Sequence, residues 1–224
     1  MQLNEKFAGD KKVGKSLLWN LEQKFIAKCV PLIPNWIQSH HLTLATLIWS
    51  FFILIFGYLA SKYSVKWFWG TTVMIFAQYI TDSLDGALGR YRKMGLVRWG
   101  YYMDHFLDYI FLCALLIGYS FTFKDEYNTL FFILATYSAF MVNSFLSFSA
   151  TNEFRISYLK IGPTEVRLGF IITNILIIFS HDKVPLASLL PYIFIFSMFG
   201  LAVVIYRTQK IMWDKDRENN IDRQ

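Results

Sequence analysis

The chain has 224 residues, of which 55% are hydrophobic, 19% aromatic and 17% charged, and its formal net charge is +6. A soluble domain is poorer in apolar residues and carries about 25% charged ones, so this composition excludes an ordinary globular enzyme. Its two cysteines, Cys29 and Cys113, match neither a disulfide framework nor a metal motif.

The first forty residues are polar or amphipathic and hold no cleavable signal pattern. Within them, SLLWNLEQKFIAKCV places Leu17, Leu18, Leu21 and Phe25 on one helical face, with Asn20, Gln23, Lys24 and Lys28 mostly elsewhere. Too polar to span and ended by Pro31 and Pro34, this segment is expected to lie in the membrane interface. Six apolar runs follow, near 42–60, 67–84, 101–121, 128–150, 166–180 and 186–206. Crossing a bilayer takes about 17–25 residues, and the 166–180 run is the shortest. The expected fold is an all-α polytopic membrane protein with six transmembrane helices and an N-terminal amphipathic interfacial helix. Its organisation is a cytoplasmic arm over 1–41, a six-helix domain over 42–210 and a tail over 211–224.

Charge placement orients this map. With the amino-terminal arm inside, eighteen of the 22 Lys and Arg fall on that side, and only Lys62, Lys66, Lys124 and Lys183 on the other. The positive-inside rule then puts both termini in the cytoplasm. The positive charge reads as membrane electrostatics and gives no reason to invoke nucleic acid.

Four aspartates interrupt the apolar sequence. Asp82 and Asp85 fall in the last turns of the second expected span, Asp104 and Asp108 in the first turns of the third. Both pairs therefore reach the same depth near the cytoplasmic face. Spacings of three and four residues put each pair on one side of its helix. Two adjacent antiparallel helices are expected to face each other across them. Four carboxylates at that range repel, and two hard divalent cations, Mg²⁺ or Mn²⁺, would neutralise them. Two-metal sites recur in chemistry at phosphates. Gly86 and Gly89 let a bulky ligand approach the backbone, and Arg90 is a planar cation suited to phosphate. A cation transporter using the same aspartates is the rival from another class. It would favour polar residues along a path and broken helices near the midplane, whereas the charges gather at one end here.

The residues Asp82, Asp85, Gly86, Gly89 and Arg90, then Gly100, Asp104 and Asp108 nine residues on, resemble the motif D-x2-D-G-x2-A-R…G-x3-D-x3-D of the CDP-alcohol phosphotransferases. One position departs, Gly89 standing where that family has Ala. The resemblance implies transfer of a phosphoryl-alcohol group from a CDP-linked donor to an acceptor hydroxyl, with release of CMP. It implies that Asp82, Asp85, Asp104 and Asp108 hold two Mg²⁺ or Mn²⁺ ions, that Asp85, Gly86, Gly89 and Arg90 serve the nucleotide, and that Asp108 is the general base. It also implies a lipid substrate, a cytoplasmic active site and a homodimer.

Two stretches, PNWIQSHHLTLATLI and MDHFLDY with His105 after Asp104, look like the choline/ethanolamine phosphotransferase branch, whose acceptor is diacylglycerol. The other branch pairs CDP-diacylglycerol with a polar acceptor such as glycerol phosphate, inositol or serine. His105 is a candidate for supporting Asp104 or touching the acceptor. Glu165 is a candidate on the acceptor side, and equally an ordinary helix N-terminal residue after Pro163. Arg155, Lys160 and Arg167 read equally as topology determinants facing lipid head groups or as part of the polar loop near which that family builds its acceptor side. Asn143 and Asn174 are expected to hydrogen-bond between helices, and His40 and His41 to lie at the interface.

Overall fold

The computed structural model describes residues 11–13, 18–123, 128–151, 153–155, 162–180 and 186–221. Leu17, Lys124, Lys160 and Lys183, which entered the readings above, lie outside them. Seven α-helices make up nearly all of the described chain. They are α1 (Trp19–Cys29), α2 (Ser39–Lys62), α3 (Phe68–Tyr91), α4 (Val97–Ser120), α5 (Thr129–Thr151), α6 (Pro163–Ser180) and α7 (Leu190–Ile221). Two three-residue strands, β1 (Lys11–Val13) and β2 (Glu153–Arg155), pair in parallel.

Local chemistry sets the boundaries. α1 is amphipathic and buries none of its residues; Leu21 and Phe25 stay exposed, as a helix lying in an interface requires. It gives way to a short 3-10 turn, Val30–Leu32, at Pro31. α2 starts at a capping box, in which the Gln38 backbone N–H donates to His41 Nδ1 at 3.1 Å. α3 runs through the whole first half of the aspartate motif, so Gly86, Gly89 and Arg90 are helical and the connection to α4 is only residues 92–96. It ends in a Schellman motif, with Met94 N–H donating to Gly89 O at 3.0 Å and Lys93 N–H to Arg90 O at 3.2 Å. Lys93 occupies the left-handed position, φ 53°.

Among the described residues five helices, α2, α4, α5, α6 and α7, are long and apolar enough to cross a membrane, where six were expected. α3 matches α2 and α4 at 24 residues, but Asp82, Ser83, Asp85 and Arg90 dilute its apolar stretch. α7 continues past the expected span as one helix through Trp213 to Ile221. Large apolar side chains such as Phe51, Phe131, Phe179, Phe196 and Phe199 stand exposed. Such a surface suits lipid and is unusual in water.

α2 packs along both α3 and α4, while the backbones of α3 and α4 make no extended contact with each other. The reason is visible at Gly57, where an added Cβ would stand 2.7 Å from Gly118 Cα. Small residues let α2 and α4 touch backbone to backbone. α6 packs on α3, and α7 on α5. The main core, with Ile53, Phe68, Ile75, Leu115 and Ile177 at its centre, fills the space between α2, α3, α4 and α6. A smaller cluster of Val30, Leu84 and Leu88 joins the turn after α1 to α3. Arg92 donates to the carbonyls of Ile33, Pro34 and Ile37 and fixes that connection from below.

Candidate active site

The gap between the C-terminal end of α3 and the N-terminal end of α4 is a cavity of about 630 Å³. Asp82, Asp85, Gly86, Gly89 and Arg90 line it from α3, Gly100, Asp104 and His105 from α4, and Arg167 from α6. α1 closes one side with Trp19, Glu22, Gln23 and Ile26. Seven of the eight motif residues therefore face one space. Asp108, one turn beyond Asp104, sits beside it against α6.

Each carboxylate has its own setting. Asp85, the most buried of the four, accepts from Thr43 Oγ1 of α2 at 2.7 Å and from the Gly86 N–H. Asp104 Oδ2 is 3.5 Å from His105 Nδ1. The His105 ring packs against Tyr101 and Phe145, with centroids 4.5 and 5.5 Å away, which fixes its orientation. Asp82 Oδ2 lies 2.9 Å from Arg167 Nη2, and Asp108 Oδ1 lies 3.0 Å from the same nitrogen. Gln78 Nε2, fully buried on α3, also donates to Asp108 Oδ1 at 3.3 Å.

Arg167 corrects the sequence reading. It does not face head groups; it is 7% exposed and joins aspartates on two different helices. A signal existed. Arg167 is the fifth residue of α6, near the helix end where the macrodipole disfavours a cation. A charge placed there has to be compensated from another element.

Glu165 joins two elements through backbone groups. Its Oε1 accepts from the Leu18 N–H at 3.1 Å and its Oε2 from the Gly162 N–H at 2.8 Å. It is absent from the cavity lining and ties the start of α6 to the start of α1. Glu22, which the sequence did not single out, does the converse from α1. It accepts from Thr164 Oγ1 at 3.1 Å and from Ser83 Oγ at 3.5 Å, and it lines the cavity. Nothing local marks Glu22, because its partners lie 61 and 142 residues away.

The two glycines have distinct reasons. A Cβ on Gly86 would stand 3.4 Å from Arg90 Nη1, in ordinary contact with the guanidinium that lies over this turn of the helix. A Cβ on Gly89 would meet Ser39 Oγ at 3.2 Å, where α2 starts. Among the described residues, no three His, Cys, Asp or Glu side chains stand close enough together to hold a metal ion. The chemistry of the donor set nevertheless fits one: four carboxylates, all hard oxygen donors, at one depth.

An all-helical membrane fold with this motif on helices flanking a polar cavity defines a class of membrane-embedded phosphotransferases. The family described as CDP-alcohol phosphatidyltransferase matches residues 32–206, and the chain belongs to it. It is accordingly a membrane transferase of phospholipid synthesis, in a family that moves a phosphoryl-alcohol group from a CDP donor and generally depends on divalent metal. That membership disposes of the transporter alternative. No curated protein is similar enough to the chain to match.

Proposed function

We propose that the chain transfers the phosphoryl-alcohol part of a CDP-choline- or CDP-ethanolamine-type donor to diacylglycerol and releases CMP. The observation that carries this is the convergence of Asp82, Asp85, Gly86, Gly89, Arg90, Gly100 and Asp104 on one cavity, with Asp108 beside it. His105, held beside Asp104, supports the choice of branch.

Asp82, Asp85, Asp104 and Asp108 would hold two Mg²⁺ or Mn²⁺ ions. When bound, the ions offset the charge of the donor pyrophosphate and of the departing CMP. Gly86 and Gly89 give the nucleotide access to the α3 backbone, and Arg90 faces its phosphates. The acceptor hydroxyl oxygen attacks the phosphorus that carries the alcohol. A new P–O bond forms, the pyrophosphate P–O bond breaks, and CMP leaves with the bridging oxygen. The hydroxyl proton passes to Asp108, which the Arg167 and Gln78 donors hold in place. His105 orients Asp104.

The test is a matrix of CDP-linked donors against acceptors, with purified protein in detergent and CMP release as the readout. Transfer from CDP-choline or CDP-ethanolamine to diacylglycerol is expected. Transfer only from CDP-diacylglycerol to a polar alcohol would reverse the donor and keep the chemistry.

The charge split supports a reading in which both termini and the cavity face the cytoplasm. Cysteine labelling of intact cells is expected to leave position 93 unmodified from outside, and labelling there would invert the map. The family likeness supports a homodimer, checked by mass in detergent.

A further inference from the structure

Arg167 presents a puzzle that the reaction above does not answer. A single nitrogen, Nη2, stands 2.9 Å from Asp82 Oδ2 and 3.0 Å from Asp108 Oδ1. Both oxygens belong to carboxylates proposed as metal ligands. A buried arginine has to be paired, so the partners are no surprise in themselves. The choice of partners is. The helices joined here, α3, α4 and α6, are already tied once by neutral groups. Tyr119 OH donates to Asn174 Oδ1 at 2.7 Å, and Asn174 Nδ2 donates to Thr72 Oγ1 at 3.0 Å. A second tie for structure alone needs no carboxylate from the motif and no cation near a helix N-terminus.

Charge gives the second half of the argument. Four carboxylates share one end of the bundle, and Arg167 is the cation bonded to two of them. Asp108 Oδ1 also accepts from Gln78, so this oxygen already has two donors. A divalent ion held by Asp82 and Asp108 would sit on carboxylates that a guanidinium already contacts, and like charges at that range repel.

Resting on the metal reading above, we propose that Arg167 is a resident counter-cation. It is a positioning residue that keeps Asp82 and Asp108 paired and competes with the divalent ion for them. The site thereby remains balanced between turnovers at the expense of metal affinity. The opposite role, an arginine that merely holds the ligands in shape for the metal, predicts the opposite sign, so one measurement separates the two.

That measurement is Mn²⁺ binding by detergent-purified protein stripped with chelator, read from the free-Mn²⁺ paramagnetic resonance signal, with thermal unfolding in parallel. Arg167→Gln is expected to bind Mn²⁺ about tenfold more tightly than wild type, since it removes a cation at contact range. Before metal is added it should unfold at a lower temperature than wild type, and Mn²⁺ should raise its unfolding temperature by more. Arg167→Lys keeps a charge, on a shorter side chain whose compact ammonium stands farther from the two carboxylates. Its Mn²⁺ affinity should fall between the other two, which keeps the proposal testable if the glutamine variant does not fold. Unchanged or weaker Mn²⁺ binding by either folded variant overturns the proposal. A wild type that binds no Mn²⁺ overturns the metal reading and this inference with it. Wild-type binding with an unmoved Arg167→Gln overturns this inference alone.

Discussion

Two ties join the same three helices, and they are made of different chemistry. The inner one, Tyr119 to Asn174 to Thr72, is neutral, with Tyr119 and Asn174 buried in the apolar core. Thr72 Oγ1 passes the chain of donors on to the Phe68 carbonyl at 3.0 Å, so each member of the relay has a partner. The outer one, Asp82 and Asp108 around Arg167, is charged and borders the cavity. α6 supplies Asn174 to one and Arg167 to the other, seven residues apart and so on nearly the same face. The comparison shows how this fold divides its work. A satisfied neutral relay fixes three helices at no electrostatic cost. A charged tie in the same place is weak evidence for stability, because the desolvation of its ions offsets their attraction. Its presence at the cavity points to chemistry.

The sharpest way to break the comparison is to damage each tie in turn and ask whether turnover or stability falls. The largest effect is expected from Asp108→Asn. Asparagine still accepts from Arg167 and Gln78, so shape survives while the base is lost. General-base assistance is worth about 10²–10⁴-fold, and CMP release should drop by at least the lower figure with donor binding largely retained. The paired measurement is donor affinity and CMP release at several Mn²⁺ concentrations. Turnover restored to near wild type by excess Mn²⁺ would make Asp108 a ligand alone, with His105 the next base to try.

Tyr119→Phe strikes the inner tie and should show the reverse pattern. The Asn174 carbonyl loses its donor, and interhelical hydrogen bonds in membranes average about 0.6 kcal/mol with a maximum near 1.7. The unfolding temperature should fall by a few degrees while CMP release per folded molecule holds. A hundredfold loss of turnover without a change in stability would erase the division between the two ties.

How much of this was legible beforehand depended on range. The motif aspartates, Gly86, Gly89 and Arg90 were readable because α3 and α4 each carry their share at short spacing, and the helices exist where apolar runs placed them. Asn174 and Asn143 were readable as interhelical donors, since an amide in an apolar helix has to find a partner; Asn143 Nδ2 meets Thr208 Oγ1 at 3.3 Å. Arg167 was misread because its charge suited the topology rule as well as it suits two aspartates on other helices. Glu165 was ambiguous between a helix start and the acceptor, and its two backbone donors tie the start of α6 to α1. That α3 and α4 face each other across the carboxylates was readable from the matching depth of the two aspartate pairs. The backbone contact of Gly57 with Gly118, which brings α2 against α4 beside that gap, was not, because it joins residues far apart in the chain.

The smallest effect is expected where the chain departs from its family. Gly89 stands where the motif usually has Ala, and the question is whether the glycine is needed. A Cβ there would lie 3.2 Å from Ser39 Oγ and 3.5 Å from Ser39 Cβ, close but against a side chain rather than a backbone. Ser39 is the first residue of α2, where its hydroxyl has room to rotate. Relief of the strain takes a shift of a few tenths of an ångström. Against that small cost, alanine favours a helix over glycine by about 1 kcal/mol. The two nearly cancel, so Gly89→Ala should leave the unfolding temperature within a degree or two and CMP release within about twofold. The contrast with Gly57→Ala makes the result informative. There the new methyl meets the Gly118 backbone at 2.7 Å, nothing can rotate away, and overpacking of that kind costs about 1–3 kcal/mol. If Gly89→Ala instead abolishes CMP release while the fold holds, the space above Gly89 belongs to the nucleotide rather than to Ser39, and the glycine is a specificity feature of this chain.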